Sequence, residues 1–135
     1  MNKSKTGRSA FRILMLCLFI VYMGAIAYAC FTSDIPDTKL PKQIFGIDID
    51  KIVHFCMFIP FPILGTPALN FKGKYWRTLI IASLLAILTA FAVENLQSLL
   101  TEVRVTDPAD LNANTLGIAL GMLTMTIYGI ARKID

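Results

Sequence analysis

The chain has 135 residues, 56% of them hydrophobic and only 16% charged. A soluble domain carries about 25% charged residues, so this composition excludes an ordinary water-soluble fold and places the chain in a bilayer. The net charge of +4 comes from small basic groups beside apolar stretches, and with no DNA-binding motif present nucleic acid is not an expected partner.

A membrane-crossing helix needs roughly 20 mostly apolar residues. Four stretches meet that demand: Ile13 to Phe31, Ile52 to Leu69, Leu79 to Leu100 and Leu111 to Ile130. The expected fold is all-α, an integral membrane bundle of four transmembrane helices forming one domain over residues 1–135. The leader "MNKSKTGRSAFR" and the closing "AYAC" also fit a cleaved signal peptide or lipoprotein leader. Against cleavage, the uncharged run exceeds the roughly 7–15 residues of a secretory core, and position 27 lacks the Leu of a lipobox.

Basic residues set the orientation, because cytoplasmic loops are enriched in them. Lys3, Lys5, Arg8 and Arg12 precede the first span, Lys72, Lys74 and Arg77 join the second to the third, and Arg132 and Lys133 follow the fourth. The opposite side holds Lys39, Lys42, Lys51 and Arg104, diluted by Asp34, Asp37, Asp48, Asp50, Glu102, Asp107 and Asp110. Both termini are therefore expected in the cytoplasm.

The second span opens with Asp50, Lys51 and His54, and its Pro60, Pro62 and Pro67 should kink or break it. The third carries "FAVENLQSLL" near its outer end, with Glu94 about 9 Å below Leu100 and Gln97 about 4–5 Å below it. The fourth begins at "TDPADL", a strong helix start with Asp107 at the N-cap, Pro108 at N1 and Asp110 at N3. Asp50 before "KIVHF" invites the same capping role. Tyr75 and Trp76, beside Lys74 and Arg77, are expected to anchor the cytoplasmic interface.

Three helices thus bring polar residues to one level, and spacing gives them faces. Asp50 lies with His54 and Glu94 with Gln97, while Asp107, Asp110, Asn114, Gly117 and Gly121 form one stripe down the last helix. Its lower part, "GIALG", is a G-x-x-x-G that permits close helix approach, within the bundle or between copies in a homo-oligomer. The expected consequence is an outward-facing polar pocket. His54 is the only histidine, which excludes a metal site built on several imidazoles; a site of His54 with carboxylates stays open, no metal is assigned, and no cofactor is specified. Cys17, Cys30 and Cys56 lack metal spacing; packing is their expected role, with a Cys30–Cys56 disulfide weakly supported.

"DKIVHF" at residues 50–55, "ENLQ" at 94–97 and "RVTDPADLNANTLG" at 104–117 together resemble the VanZ-like family of bacterial membrane proteins. The shared pattern is Asp-Lys-x-x-His-Phe, Glu-x-x-Gln and Arg-x-x-Asp-x-x-Asp-x-x-x-Asn-x-x-Gly. The resemblance implies a small multi-pass protein of the bacterial cytoplasmic membrane, in a family whose named member is associated with teicoplanin resistance. It implies no settled reaction.

Three functions remain open from the residues. In the first, Asp50, Lys51, His54, Glu94, Gln97, Arg104, Asp107, Asp110 and Asn114 bind or modulate an anionic lipid-linked cell-wall precursor or lipid headgroup, with Lys51 and Arg104 supplying charge. The acidic residues oppose an anion unless they are protonated, paired or bridged by a cation. In the second, the protein is an enzyme acting on such a headgroup with Glu94 or His54 as general base. In the third, the polar set only glues helices together or binds a protein partner.

Overall fold

The computed structural model describes residues 3–31, 43–70, 74–100 and 107–134. Five helices and one small hairpin make up this part of the chain: α1 (Lys3–Phe31), β1 (Gln43–Ile44), β2 (Ile47–Asp48), α2 (Ile49–Phe58), α3 (Pro60–Leu69), α4 (Tyr75–Leu100) and α5 (Pro108–Ala131). With α2 and α3 counted as one broken span, four segments are long and apolar enough to cross a membrane.

The break at Ile59 comes from the prolines expected to cause it. Pro60 opens α3, and Pro62, also without an N–H, leaves the Phe58 carbonyl without its usual intrahelical donor. The Pro62 carbonyl accepts from Thr66 Oγ1 at 2.7 Å. Ile59 keeps helical angles, with φ −56° and ψ −45°, so the two halves continue one path with a local kink.

The hairpin ahead of α2 pairs Gln43 with Asp48 and Ile44 with Ile47. Its two turn residues, Phe45 and Gly46, have φ of 53° and 78°, as a type I′ two-residue turn requires. Glycine adopts that region readily, whereas Phe45 does so against its side chain's preference.

An aromatic and aliphatic core runs between α1, α3 and α4. Phe19 meets Phe61 edge-on, with centroids 5.1 Å apart, and Tyr22 meets it at 6.1 Å. Phe58, Ala86, Ala90 and Ile118 are buried alongside. Successive small residues on α4, Ala82, Ala86 and Ala90, have no exposed surface, and they let α3 and α5 come close. Tyr22 Oη donates to the Met57 carbonyl at 2.6 Å, another carbonyl near the break that uses a side-chain donor.

The last helix approaches α2 and α3 backbone to backbone. A Cβ built at Gly117 would lie 2.2 Å from the Phe55 carbonyl oxygen, and one at Gly121 2.3 Å from that of Ile59. The stripe is therefore used inside the chain. Both glycines face α2 and α3, as the close helix approach expected within the bundle requires.

At the opposite end, Tyr75 Oη donates to the Met125 carbonyl at 2.6 Å and Trp76 Nε1 to that of Ile134 at 2.9 Å. These two residues tie the start of α4 to the end of α5. Cys30 is buried and its Sγ lies 4.0 Å from Met57 Sδ, while Cys56 is exposed; the two are not joined by a disulfide.

Candidate functional site

The polar residues of α2, α4 and α5 meet at one end of the bundle, in two layers. The upper layer begins with the cap of α5. Asp107 is its N-cap: Oδ1 accepts from the Ala109 N–H at 2.8 Å, and Pro108 follows at N1. The other oxygen of Asp107 accepts from Lys51 Nζ at 2.8 Å, and the same ammonium donates to Asp110 Oδ1 at 3.2 Å. Lys51 thus clamps α2 to the first turn of α5. The ammonium, together with the Ala109 N–H, holds the Asp107 carboxyl below its ordinary range. Asp48, which sequence spacing did not single out, lies 4.0 Å from Lys51 and is the N-cap of α2. The capping role expected for Asp50 is corrected accordingly: the helix starts at Ile49 and Asp50 sits in its first turn.

The lower layer is dry. Asn114 has no exposed surface, and His54 and Glu94 keep 3% each. Asn114 Nδ2 donates to Glu94 Oε1 at 2.9 Å, and its Oδ1 lies 3.1 Å from His54 Nδ1. A carboxylate can only accept, which fixes the Asn114 amide with its nitrogen toward Glu94 and its oxygen toward the imidazole. The hydrogen of a neutral His54 then belongs on Nδ1. Glu94 Oε1 is itself 3.4 Å from that nitrogen, so carboxylate, amide and imidazole form a relay across three helices. Burying a carboxylate this deeply requires such partners.

The far nitrogen of His54 faces the upper layer. Nε2 lies 4.0 Å from Asp50 Oδ2, and one ligand atom each from Asp50, His54 and Asp110 falls within a 4.8 Å spread. Asp50 is half exposed at the rim, whereas the side chain of Asp110 keeps only 13% of its surface.

Gln97 takes a different direction from its neighbour Glu94. It is buried, and its Nε2 donates at 2.9 Å to the carbonyl of Cys30, in the last turn of α1, where helix carbonyls lack intrahelical donors. Asn95 is half-buried, and its Nδ2 donates back to the Phe91 carbonyl at 2.7 Å. Arg104 falls outside the described residues. A groove of about 350 Å³ is lined by Lys51, Ile52, Phe55, Ala109 and Asn112. A larger one of about 590 Å³ lies at the other end of the bundle, among Phe11, Met15, Pro67, Tyr75 and Tyr128, and none of the polar set lines it.

Four membrane-length helices with a buried polar relay near one end define a multi-pass helical membrane protein. Comparison with protein families matches VanZ/LLP1 over residues 10–129, and the chain belongs to that family. No curated protein and no solved structure matches it.

Proposed function

We propose that this VanZ-type membrane protein acts in the bacterial cytoplasmic membrane as one domain with both termini in the cytoplasm. Its outer polar end binds or modulates an anionic, lipid-linked component of the cell envelope, and through it influences susceptibility to glycopeptides such as teicoplanin. The observation that carries this reading is the gathering of Lys51, His54, Glu94, Asp107, Asp110 and Asn114 from three separate spans at one end of the bundle. A chain that needed only to cross the bilayer would gain nothing from carrying Glu94 there, since an ionisable group within a span costs a few kcal/mol on insertion scales. The groove beside Lys51 and the amino end of α2 offer an anionic headgroup positive charge, while the first N–H groups of α5 already bond to Asp107.

One observation favours catalysis as a second reading: the Glu94–Asn114–His54 relay orients an imidazole as a general base would need. On a lipid-linked headgroup, His54 would then take a proton from an attacking water.

The test is the thermal stability of the purified protein in detergent, with and without polyprenyl phosphates and lipid-linked cell-wall precursors. A ligand of the native state at about 100 times its Kd stabilises by about 2.7 kcal/mol. The expected result is a rise with one headgroup class that is lost in Lys51→Ala. Turnover of that headgroup would select the catalytic reading; no rise with any of them, in a folded wild type, would refute both.

A further inference from the structure

His54 is held in the way a metal-binding histidine is held. Such a residue almost always donates its second ring N–H to a carboxylate, a carbonyl or water, which fixes the tautomer and aims the remaining lone pair. Here Nδ1 is bound by the Asn114 amide oxygen, which is itself fixed by Glu94. The lone pair of a neutral ring is therefore on Nε2, the nitrogen on the side of Asp50, and one ligand atom each from Asp50, His54 and Asp110 falls within 4.8 Å of the others.

That arrangement places acceptors against acceptors. Among the described residues no hydrogen bond reaches Nε2, and its 4.0 Å to Asp50 Oδ2 exceeds the 2.7–3.2 Å of an N–H···O bond. Charge points the same way: Asp48, Asp107 and Asp110 lie within 4.0 Å of the Lys51 ammonium, and Asp50 and Glu94 lie within 4.0 Å of His54, so five carboxylates share one described ammonium. Lys51 occupies Oδ1 of Asp110 and leaves its second oxygen for another partner.

We infer that Asp50, His54 Nε2 and Asp110 form a binding site for one divalent cation of the zinc or manganese class, with Glu94 and Asn114 as its outer shell. One imidazole with two carboxylates suits these ions, whereas calcium and magnesium favour all-oxygen sites. Bonds of about 2.0–2.2 Å to a tetrahedral ion set the ligand atoms closer together than their present 4.8 Å spread. Asp50, half exposed at the start of α2, has the freedom to swing inward. Three protein ligands leave a position open to the outside. On the proposed function, that position adds positive charge for an anionic headgroup to that of Lys51, which it shares with Asp107 and Asp110.

The test is titration of the metal-stripped full chain in detergent with Mn²⁺, followed by electron paramagnetic resonance, with Zn²⁺ as competitor and no lipid present. The lipid-free format separates failure of the ion site from failure of the headgroup reading. The expected result is a saturable single equivalent of Mn²⁺, displaced by Zn²⁺, with nitrogen modulation from the imidazole. Losing a direct ligand should weaken binding by no less than the roughly 10- to 100-fold seen for outer-shell partners, so Asp50→Asn should lose it, as should His54→Gln. Asp50 is exposed enough to change without unfolding the bundle, which keeps the test decisive where His54→Gln does not fold. Wild type that binds neither ion, or Asp50→Asn that binds as tightly as wild type, would overturn the inference.

Discussion

Replacing Gly117 by Ala should damage this protein although it removes nothing. The added methyl would lie 2.2 Å from the Phe55 carbonyl oxygen, where ordinary contact begins near 3.4 Å. Backbone stands on both sides of the collision, so no rotamer change relieves it, and α5 must withdraw from α2 by roughly 1 Å. Overpacking of this kind costs about 1–3 kcal/mol. A helical Gly→Ala change otherwise gains about 1 kcal/mol, which sets a net loss of up to about 2 kcal/mol. Gly24 provides the internal reference: it is helical, and a Cβ there meets nothing within 4 Å, so Gly24→Ala should be stabilised by up to about 1 kcal/mol. Unfolding both variants in mixed detergent micelles measures the difference, expected near the overpacking cost of about 1–3 kcal/mol. Equal stability of the two would refute the backbone contact between α5 and α2.

Asn114→Leu should destabilise by about 1–3 kcal/mol for each buried group left unpaired; the total is held toward the lower end because His54 Nδ1 already lies 3.4 Å from Glu94, and the same unfolding assay reads it. Tyr75→Phe and Trp76→Phe each remove one bond to a carbonyl of the α5 end and should cost about 0.5–1.5 kcal/mol, measured the same way. Because the Asp107 carboxyl is held below its ordinary 3.8, its contribution to stability is full above that pH and is lost as pH falls through the lower folded value; melting temperature against pH should show this acid limb, flattened in Asp107→Asn. A fluorescent protein fused after Asp135 should fold and fluoresce in the cytoplasm, and a fusion active only outside would reverse the expected orientation.

The spans were legible because bilayer thickness demands long apolar runs, and composition records them directly. The start of α5 was legible as well, because "TDPADL" put Asp107 at the N-cap and Pro108 at N1, where the structure has them. The start of α4 was not: it begins at Tyr75, ahead of the apolar run from Leu79, since interfacial residues extend a helix beyond its greasy stretch. The convergence of His54, Glu94 and Asn114 could be read from depth and face, because helical periodicity carries both. Gln97 shows where that logic ends. Its spacing puts it on the same face as Glu94, but its amide reaches past the polar set to α1, a partner fixed only by how the first helix docks. The hairpin at Gln43–Asp48 also escaped notice: Gly46 signals a turn, yet Phe45 beside it argues against two left-handed residues in succession.

The bond from Gln97 to α1 accepts no information from the side chain it meets. It ends on the carbonyl of Cys30, and every amino acid offers the same oxygen. The first helix is thus fastened to the polar end of the bundle by its peptide backbone, so its sequence is free to drift at position 30 among residues that fit the space while the attachment persists. Three helices must keep particular side chains for the relay, whereas the first reaches the polar end through a backbone oxygen.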